Sequence, residues 1–439
     1  MIPSLSSDEL AAKRARLPSR LLPPLYWGFA HLCLALAFVV MLADPRSVVG
    51  FYYHPVMVAV VHLITLGWIT GSILGALYLV APMALRAPLA AGRADVWGFA
   101  VYAVGVAGMV SHFWIEEASG MAWSALMVVV GLAIPAVRFW RALASAPIPG
   151  EVKLHFRLAF VNLLGAAVMG LLLGIHKAWP FLPGYVLGNV WAHAHLAALG
   201  WATMMVMAAG YRLLPMFLPS AMPQGPWIRI GGLVFEAGVI GLFVTLLLGS
   251  PWRSLFAILA VSGLGIFLSH VLWMRRHPRP APKALLRPDL GVAQAMLALA
   301  WMLVGAVLGL VLALTPPATW KLPASMVYGV AFLVGFLSQV VVGVGSRLFP
   351  LYAWLQGFSG TDFQQPPPSP HALPSRRVQV ALFGLWTAGV PLLALALATD
   401  SVAWLQAAAA LLLAAVALGA VQHATVLARA VPSGTGSLP

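Results

Sequence analysis

Cysteine, charge and acidic residues are all scarce in this chain. A single cysteine, Cys33, among 439 residues excludes an internal disulfide and any thiolate cluster for zinc or iron–sulfur. Charged residues make up only 8% of the sequence, with 11 Asp and Glu in all. So low a charge fraction leaves no charged, solvated outer face of the kind a soluble domain carries. The N-terminal stretch "MIPSLSSDELAAKRARLPSR" is polar and basic, with no apolar core of the kind a cleaved signal carries. No segment reads as a soluble domain.

What the chain has instead is 62% hydrophobic residues in runs close to bilayer-spanning length. The pattern predicts an all-α polytopic membrane protein with about twelve spans, at 22–43, 52–84, 97–117, 121–143, 154–178, 186–218, 229–249, 252–274, 290–315, 322–354, 377–398 and 401–428. A polar segment, 1–21, precedes a single transmembrane domain over 22–430, and 431–439 form a tail. The net charge of +14 reflects topology and not affinity for nucleic acid. With both termini cytoplasmic, 21 of the 25 Lys and Arg fall inside, and Arg46, Lys177, Arg253 and Lys321 fall outside. That bias is what the positive-inside rule expects of a multi-pass protein in a bacterial-type inner membrane. Two longer connections, 274–289 and 356–377, are Pro-rich and cytoplasmic on this topology; the first is also basic enough to touch anionic lipid.

A repeat is hidden in the spans. "HLITLGWITGSILGALYLVAPM" from His62 and "HLAALGWATMMVMAAGYRLLPM" from His195 share H-L-x-x-L-G-W-x-T, then Tyr78 or Tyr211, then Pro82 or Pro215. A third, fainter copy begins at Val330 and keeps Gly335, Arg347 and Pro350, with valine in place of the histidine. From His62 to His195 is 133 residues, and from His195 to Val330 is 135, four spans each time. This implies three four-helix units, 22–143, 154–274 and 290–430, in a pseudo-threefold arrangement. A transporter of two six-helix halves would repeat near the chain midpoint instead.

Six of the twelve histidines collect in the outer half of the first two units. At about 1.5 Å per residue, His193 and His195 lie roughly 10–15 Å below the outer surface and His62 about 15 Å below it. His54, His112 and His176 lie nearer the rim. Residues two apart on a helix differ by about 200° around its axis, so His193 and His195 serve two sites more easily than one. Neutral imidazole binds haem iron and copper, and burying it unpartnered is costly. The plainer reading remains open for each: a hydrogen-bonded helix contact for His31, His270 and His423, and an interfacial residue for His54, His112 and His176. Glu236, buried in span seven, is expected to pair, coordinate or relay protons.

The segment "AHAHLAALGWATMMVMAAGYRLLPMF" resembles the haem-ligating helix of the cbb3-type cytochrome oxidase catalytic subunit, with its His-x-His, Leu-Gly-Trp run and late Tyr. The twelve-helix, pseudo-threefold plan is similar to that of the haem–copper oxidase superfamily, nitric oxide reductases included. The resemblance implies a membrane oxidoreductase of electron transfer, or of NO or O2 chemistry, on the outer side. It also implies one or two b-type haems, a cytochrome c-type or quinol electron donor, and copper. Carried over, it makes His193 a high-spin haem ligand and His195 with His62 the low-spin pair, while His54, His112 and His176 are left as metal candidates. The chain departs from that family in placing the paired helix sixth and not tenth, and in having no tandem His-His and no His-Pro-Glu helix. In this it looks more like the haem- and copper-containing NnrS family of the nitric oxide response. Two other readings stand beside it. One is a copper or small-solute permease, with Met204, Met205, Met207 and Met216 along a metal path. The other is a non-catalytic scaffold subunit of a respiratory complex.

The topology is tested by labelling in intact cells. A cysteine replacing Ser47 should react with a membrane-impermeant maleimide, and one replacing Gln224 should be protected; the reverse pattern contradicts the assignment.

Overall fold

The computed structural model describes residues 17–280, 287–358 and 368–430. Parts of both Pro-rich connections, most of the N-terminal segment and the 431–439 tail lie outside the described residues. Among those described there is no β-strand, and twelve helices are long and apolar enough to cross a membrane. They are α1 (Leu22–Ala43), α2 (Pro55–Met83), α3 (Arg93–Trp114), α4 (Ala118–Ser145), α5 (Gly150–Ala178), α6 (Val186–Phe217), α7 (Trp227–Leu247), α8 (Arg253–Arg276), α9 (Leu290–Leu314), α10 (Lys321–Phe358), α11 (Arg376–Ala398) and α12 (Val402–Arg429). In a medium without water every backbone N–H and C=O must be satisfied internally, which is why apolar runs of this length become helices. The chain is thus a polytopic helical membrane protein suited to a lipid bilayer.

Three helices differ from the rest. In α2, α6 and α10, the second helix of each four-helix repeat, 67%, 72% and 61% of the apolar window is buried, against 28–44% in the other nine. These three form the inner ring and the others face outward, with exposed side chains such as Leu32, Val104, Val161 and Leu303 on the lipid side. Each inner helix is interrupted by a π-helical stretch at the same point of the repeat: Leu63–Thr70, Leu196–Thr203 and Val330–Ser338. The three stretches touch one another pairwise, so they mark the axis of the bundle. Below, the histidine side is the end carrying His54, His112 and His176, and the arginine side is the opposite end.

Outer helices pack as hairpins, and the first two units pack alike. A Cβ on Gly105 of α3 would fall 2.8 Å from the Val128 backbone nitrogen of α4. One on Gly238 of α7, 133 residues later, would fall 2.3 Å from the Ala260 nitrogen of α8. Small residues here let backbones touch, the main attraction left to helices that lipid already solvates.

The arginine side is closed by polar contacts. Asp95 is fully buried and accepts from Tyr78 Oη (2.8 Å) and the Gly92 nitrogen (2.7 Å), with Arg138 Nε 2.7 Å away. Arg212 Nε donates to the Ala84 carbonyl (2.8 Å), tying α6 to the end of α2. Arg347 pairs with Asp289 and donates to His371 Nδ1 (3.0 Å). Partial burial, then the Arg347 guanidinium, holds the His371 imidazole below its ordinary pKa. Tyr78, Arg212 and Arg347 of the repeat are therefore tie points at one end of the bundle.

Replacing Gly238 with leucine should force α7 and α8 apart at a cost of about 1–3 kcal/mol. Thermal unfolding in detergent reads this as a lowered midpoint, and an unchanged midpoint would contradict the packing described.

Candidate functional site

The shared motif begins with a histidine placed at the last α-helical residue before each of the first two π-turns. His62 Nδ1 lies 2.8 Å from the Val58 carbonyl and His195 Nδ1 2.8 Å from the Trp191 carbonyl, each four residues back. A carbonyl only accepts, so Nδ1 carries the proton in both and Nε2 keeps its lone pair. The turn that follows each histidine is widened, and a hydroxyl at its far end takes up a displaced carbonyl. Thr203 Oγ1 donates to Ala198 O (2.8 Å) and Ser338 Oγ to Leu333 O (2.7 Å), each five residues back. In the first copy Thr70 Oγ1 accepts from Trp201 Nε1 (3.0 Å), so the tryptophan of one motif is joined to the threonine of another across the axis. π-Turns of this kind are rare and concentrate at functional sites.

Around the axis, just to the histidine side of the π layer, the side chains form two pairs. His62 and His193 have ring centroids 6.4 Å apart with planes within 13° of parallel. Phe113 of α3 packs against the other side of the pair, 4.8 Å from the His62 ring. His193 Nδ1 is buried without a hydrogen bond of normal geometry, although the Ala166 backbone lies close. A Cβ on Gly170 would fall 3.0 Å from His193 Cε1, so glycine there makes room for the imidazole against α5. His195, two residues on, faces α10: its Nε2 accepts from Tyr328 Oη (3.2 Å), and the two rings lie 5.9 Å apart at 23°. The ring facing His62 is therefore that of His193, while His195 is engaged by Tyr328.

The rim histidines are differently occupied. His54 is the N-cap of α2, its Nδ1 accepting from the Val56 nitrogen (3.3 Å). His176 Nδ1 accepts from the Phe181 and Leu182 nitrogens (2.8 and 2.9 Å), pinning the loop between α5 and α6. In neutral His54 and His176 the proton therefore sits on Nε2, which leaves neither ring a free lone pair while these bonds hold. His112 differs: Nδ1 donates to Gly108 O (2.6 Å), and its Nε2 faces Glu117 Oε2 at 4.0 Å. Among the described residues no three of His, Cys, Asp and Glu gather as a metal-binding group. Met204, Met205 and Met207 are buried as core, whereas Met216 is exposed. Glu236 accepts from Asn162 Nδ2 (2.9 Å), and the same amide nitrogen lies 3.1 Å from Gly200 O inside the second π-turn. His31 packs edge-on to His423, and the Tyr211 hydroxyl lies 2.8 Å from His270 Nδ1.

Tyr328 was hidden from a search for histidines. It stands two residues before Val330, the offset His193 has from His195, so the repeat alignment was the signal that marked it. Compared with known family models and with curated proteins, the chain matches none.

Tyr328→Phe removes the one hydrogen bond to His195 Nε2 and leaves that nitrogen dry. A loss of about 1 kcal/mol is expected, read as a lower unfolding midpoint than the parent; a variant as stable as the parent contradicts the bond.

Proposed function

We propose that this protein binds a b-type haem at the axis of its inner ring and uses it for electron transfer or for chemistry on a diatomic gas, NO or O2. One observation carries the reading: two intramembrane imidazoles, His62 and His193, lie with their ring centroids 6.4 Å apart. An imidazole–metal bond of about 2 Å on each side puts two coordinating rings roughly 6 Å apart. His62 supports this role with an Nε2 left free by its bond to Val58, and His193 lies buried beside it with its Nδ1 near the Ala166 backbone and in no hydrogen bond of normal geometry. Haem iron held by both rings would supply a one-electron couple, and a small gas would need the second site that His195 offers.

The surrounding residues have assignable tasks. The Val58 carbonyl fixes the His62 tautomer and ring orientation, as outer partners of metal-bound imidazoles do. Phe113 walls the His62 side, and Gly170 lets α5 close over His193. The resemblance to cbb3-type oxidases pairs His62 with His195; the contacts favour His193 for that place. In this reading His195, held by Tyr328, is the ligand of a second site that opens when the tyrosine turns away. Copper would have to draw on His112 first, because His54 and His176 spend their lone pairs on backbone nitrogens. The site lies in the periplasmic half of a bacterial-type inner membrane on the topology proposed above. A cytochrome c-type protein or a quinol supplies the electrons.

Purified protein, oxidised and dithionite-reduced, tests the proposal by its optical spectrum and iron content. A sharp reduced α-band, lost in His62→Ala and in His193→Ala, is the expected result. A colourless, iron-free parent protein overturns it.

A further inference from the structure

A cavity of about 210 Å³ lies on the arginine side of the π layer, between α1, α2, α6, α10 and α12. It is separate from the imidazole pairs: of the motif residues lining it, Trp68 belongs to the first π-turn and Ser72 to the helix beyond it. Not one Asp, Glu, Lys or Arg is among the described residues that line it. Anions, cations and nucleotides would all enter without a counter-charge, at a cost a low-dielectric interior does not return. The ligand chemistry that remains is neutral and lipid-soluble.

The walls are not merely greasy. Trp68 Nε1 and Ser72 Oγ are buried and have no hydrogen-bond partner, and both side chains are only 4% exposed. Two orphaned polar groups in one apolar cavity cost stability unless something accepts from them. The orphaned tryptophan is also a break in the repeat. Trp201, its counterpart on α6, is satisfied by Thr70 of α2, whereas Trp68, which lines the cavity, has no such partner.

His31 lines the same space, its Nδ1 2.7 Å from the Trp27 carbonyl, so its Nε2 is an acceptor. Its ring lies 5.1 Å from Trp68 and 4.9 Å from His423, edge-on to each. Imidazoles on opposite sides of one metal need roughly 6 Å between centroids for bonds of about 2 Å, a spacing the crossed His31–His423 pair does not offer.

We infer that this cavity binds the head group of a quinone. Carbonyl oxygens would accept from Trp68 Nε1 and Ser72 Oγ, and the hydroxyl of the reduced form would donate to His31 Nε2. A site offering both donors and an acceptor, without charge, suits a ring whose oxygens alternate between C=O and C–OH. A dry cavity of about 150 Å³ already admits benzene, so a substituted six-membered ring is within reach of this one. The binding site stands without the haem; only its use as the entry point for electrons rests on the reading above.

The test uses full-length protein in nanodiscs of quinone-free synthetic lipid, with decylubiquinone as probe and decylbenzene as the oxygen-free control. Saturable decylubiquinone binding is expected. It should weaken about tenfold in Trp68→Phe, which keeps the ring and removes the N–H, and be abolished in Ala209→Phe, which fills the cavity. Decylbenzene should not compete. Thermal unfolding of each variant confirms folding, and Trp68→Phe should be no less stable than the parent. A His62→Ala/His193→Ala double variant should bind the probe unchanged, which separates this result from the fate of the haem reading. Absent binding, equal affinity in folded Trp68→Phe, or equal competition by decylbenzene overturns the inference, the last making the cavity a site for lipid chains.

Discussion

Three buried helices meeting at one axis set the terms for the rest of this molecule. A π-turn displaces backbone carbonyls from their normal donors, and inside a bilayer-sized bundle no solvent is present to replace them. The repeat answers with a hydroxyl at a fixed place: Thr203 and Ser338 each bond the carbonyl five residues back. Thr70 instead takes the Trp201 N–H from the neighbouring helix. Because the three π-turns also touch one another, the residues just before them are brought to the axis together. That is how a histidine on α2, two on α6 and a tyrosine on α10 come to share one layer. The outer helices can then be ordinary, packed by small residues and facing lipid.

The threefold plan is kept in the backbone and broken in the side chains, and the breaks are where chemistry is available. His62 and His193 face each other across one helix pair, whereas His195 meets Tyr328 across the next. Valine in place of the third histidine leaves α10 with a hydroxyl to offer and no imidazole. Farther along, the bond from Trp201 to Thr70 has no satisfied equivalent at Trp68. A polar atom left alone in the interior costs free energy, so its persistence next to a charge-free cavity points to a ligand. The imidazole layer and the charge-free cavity lie on opposite sides of one π layer, about two to three helix turns apart along α2 from His62 to Trp68 and Ser72.

The sequence exposed much of this and concealed a definite part. Apolar run length located all twelve spans to within a few residues at most ends, because the bilayer constrains length so tightly. The positions of His62, His193 and His195 within their spans, and the two faces of α6, followed from helical geometry once the spans were placed. The π-turns were not legible, since Leu-Gly-Trp-x-Thr carries no composition that separates a π-turn from an α-turn. Nor was the partner of each histidine. The widened turns and the packing of the three inner helices on one another decide that His62 meets His193 and that His195 meets Tyr328. The capping roles of His54 and His176 depend on loop backbone nitrogens that no spacing rule reaches. Tyr328 lay in plain view at the right offset, but in a copy that looked empty for want of a histidine.

The central claim is that the axial imidazoles hold haem iron, and near-infrared magnetic circular dichroism of the oxidised protein addresses it most directly, because that band identifies the pair of axial ligands on a low-spin haem. The account predicts a bis-imidazole band that disappears when either His62 or His193 is replaced and survives replacement of His54 or His176. A haem protein whose axial signature is indifferent to both His62 and His193, or a protein that carries no haem, would contradict it.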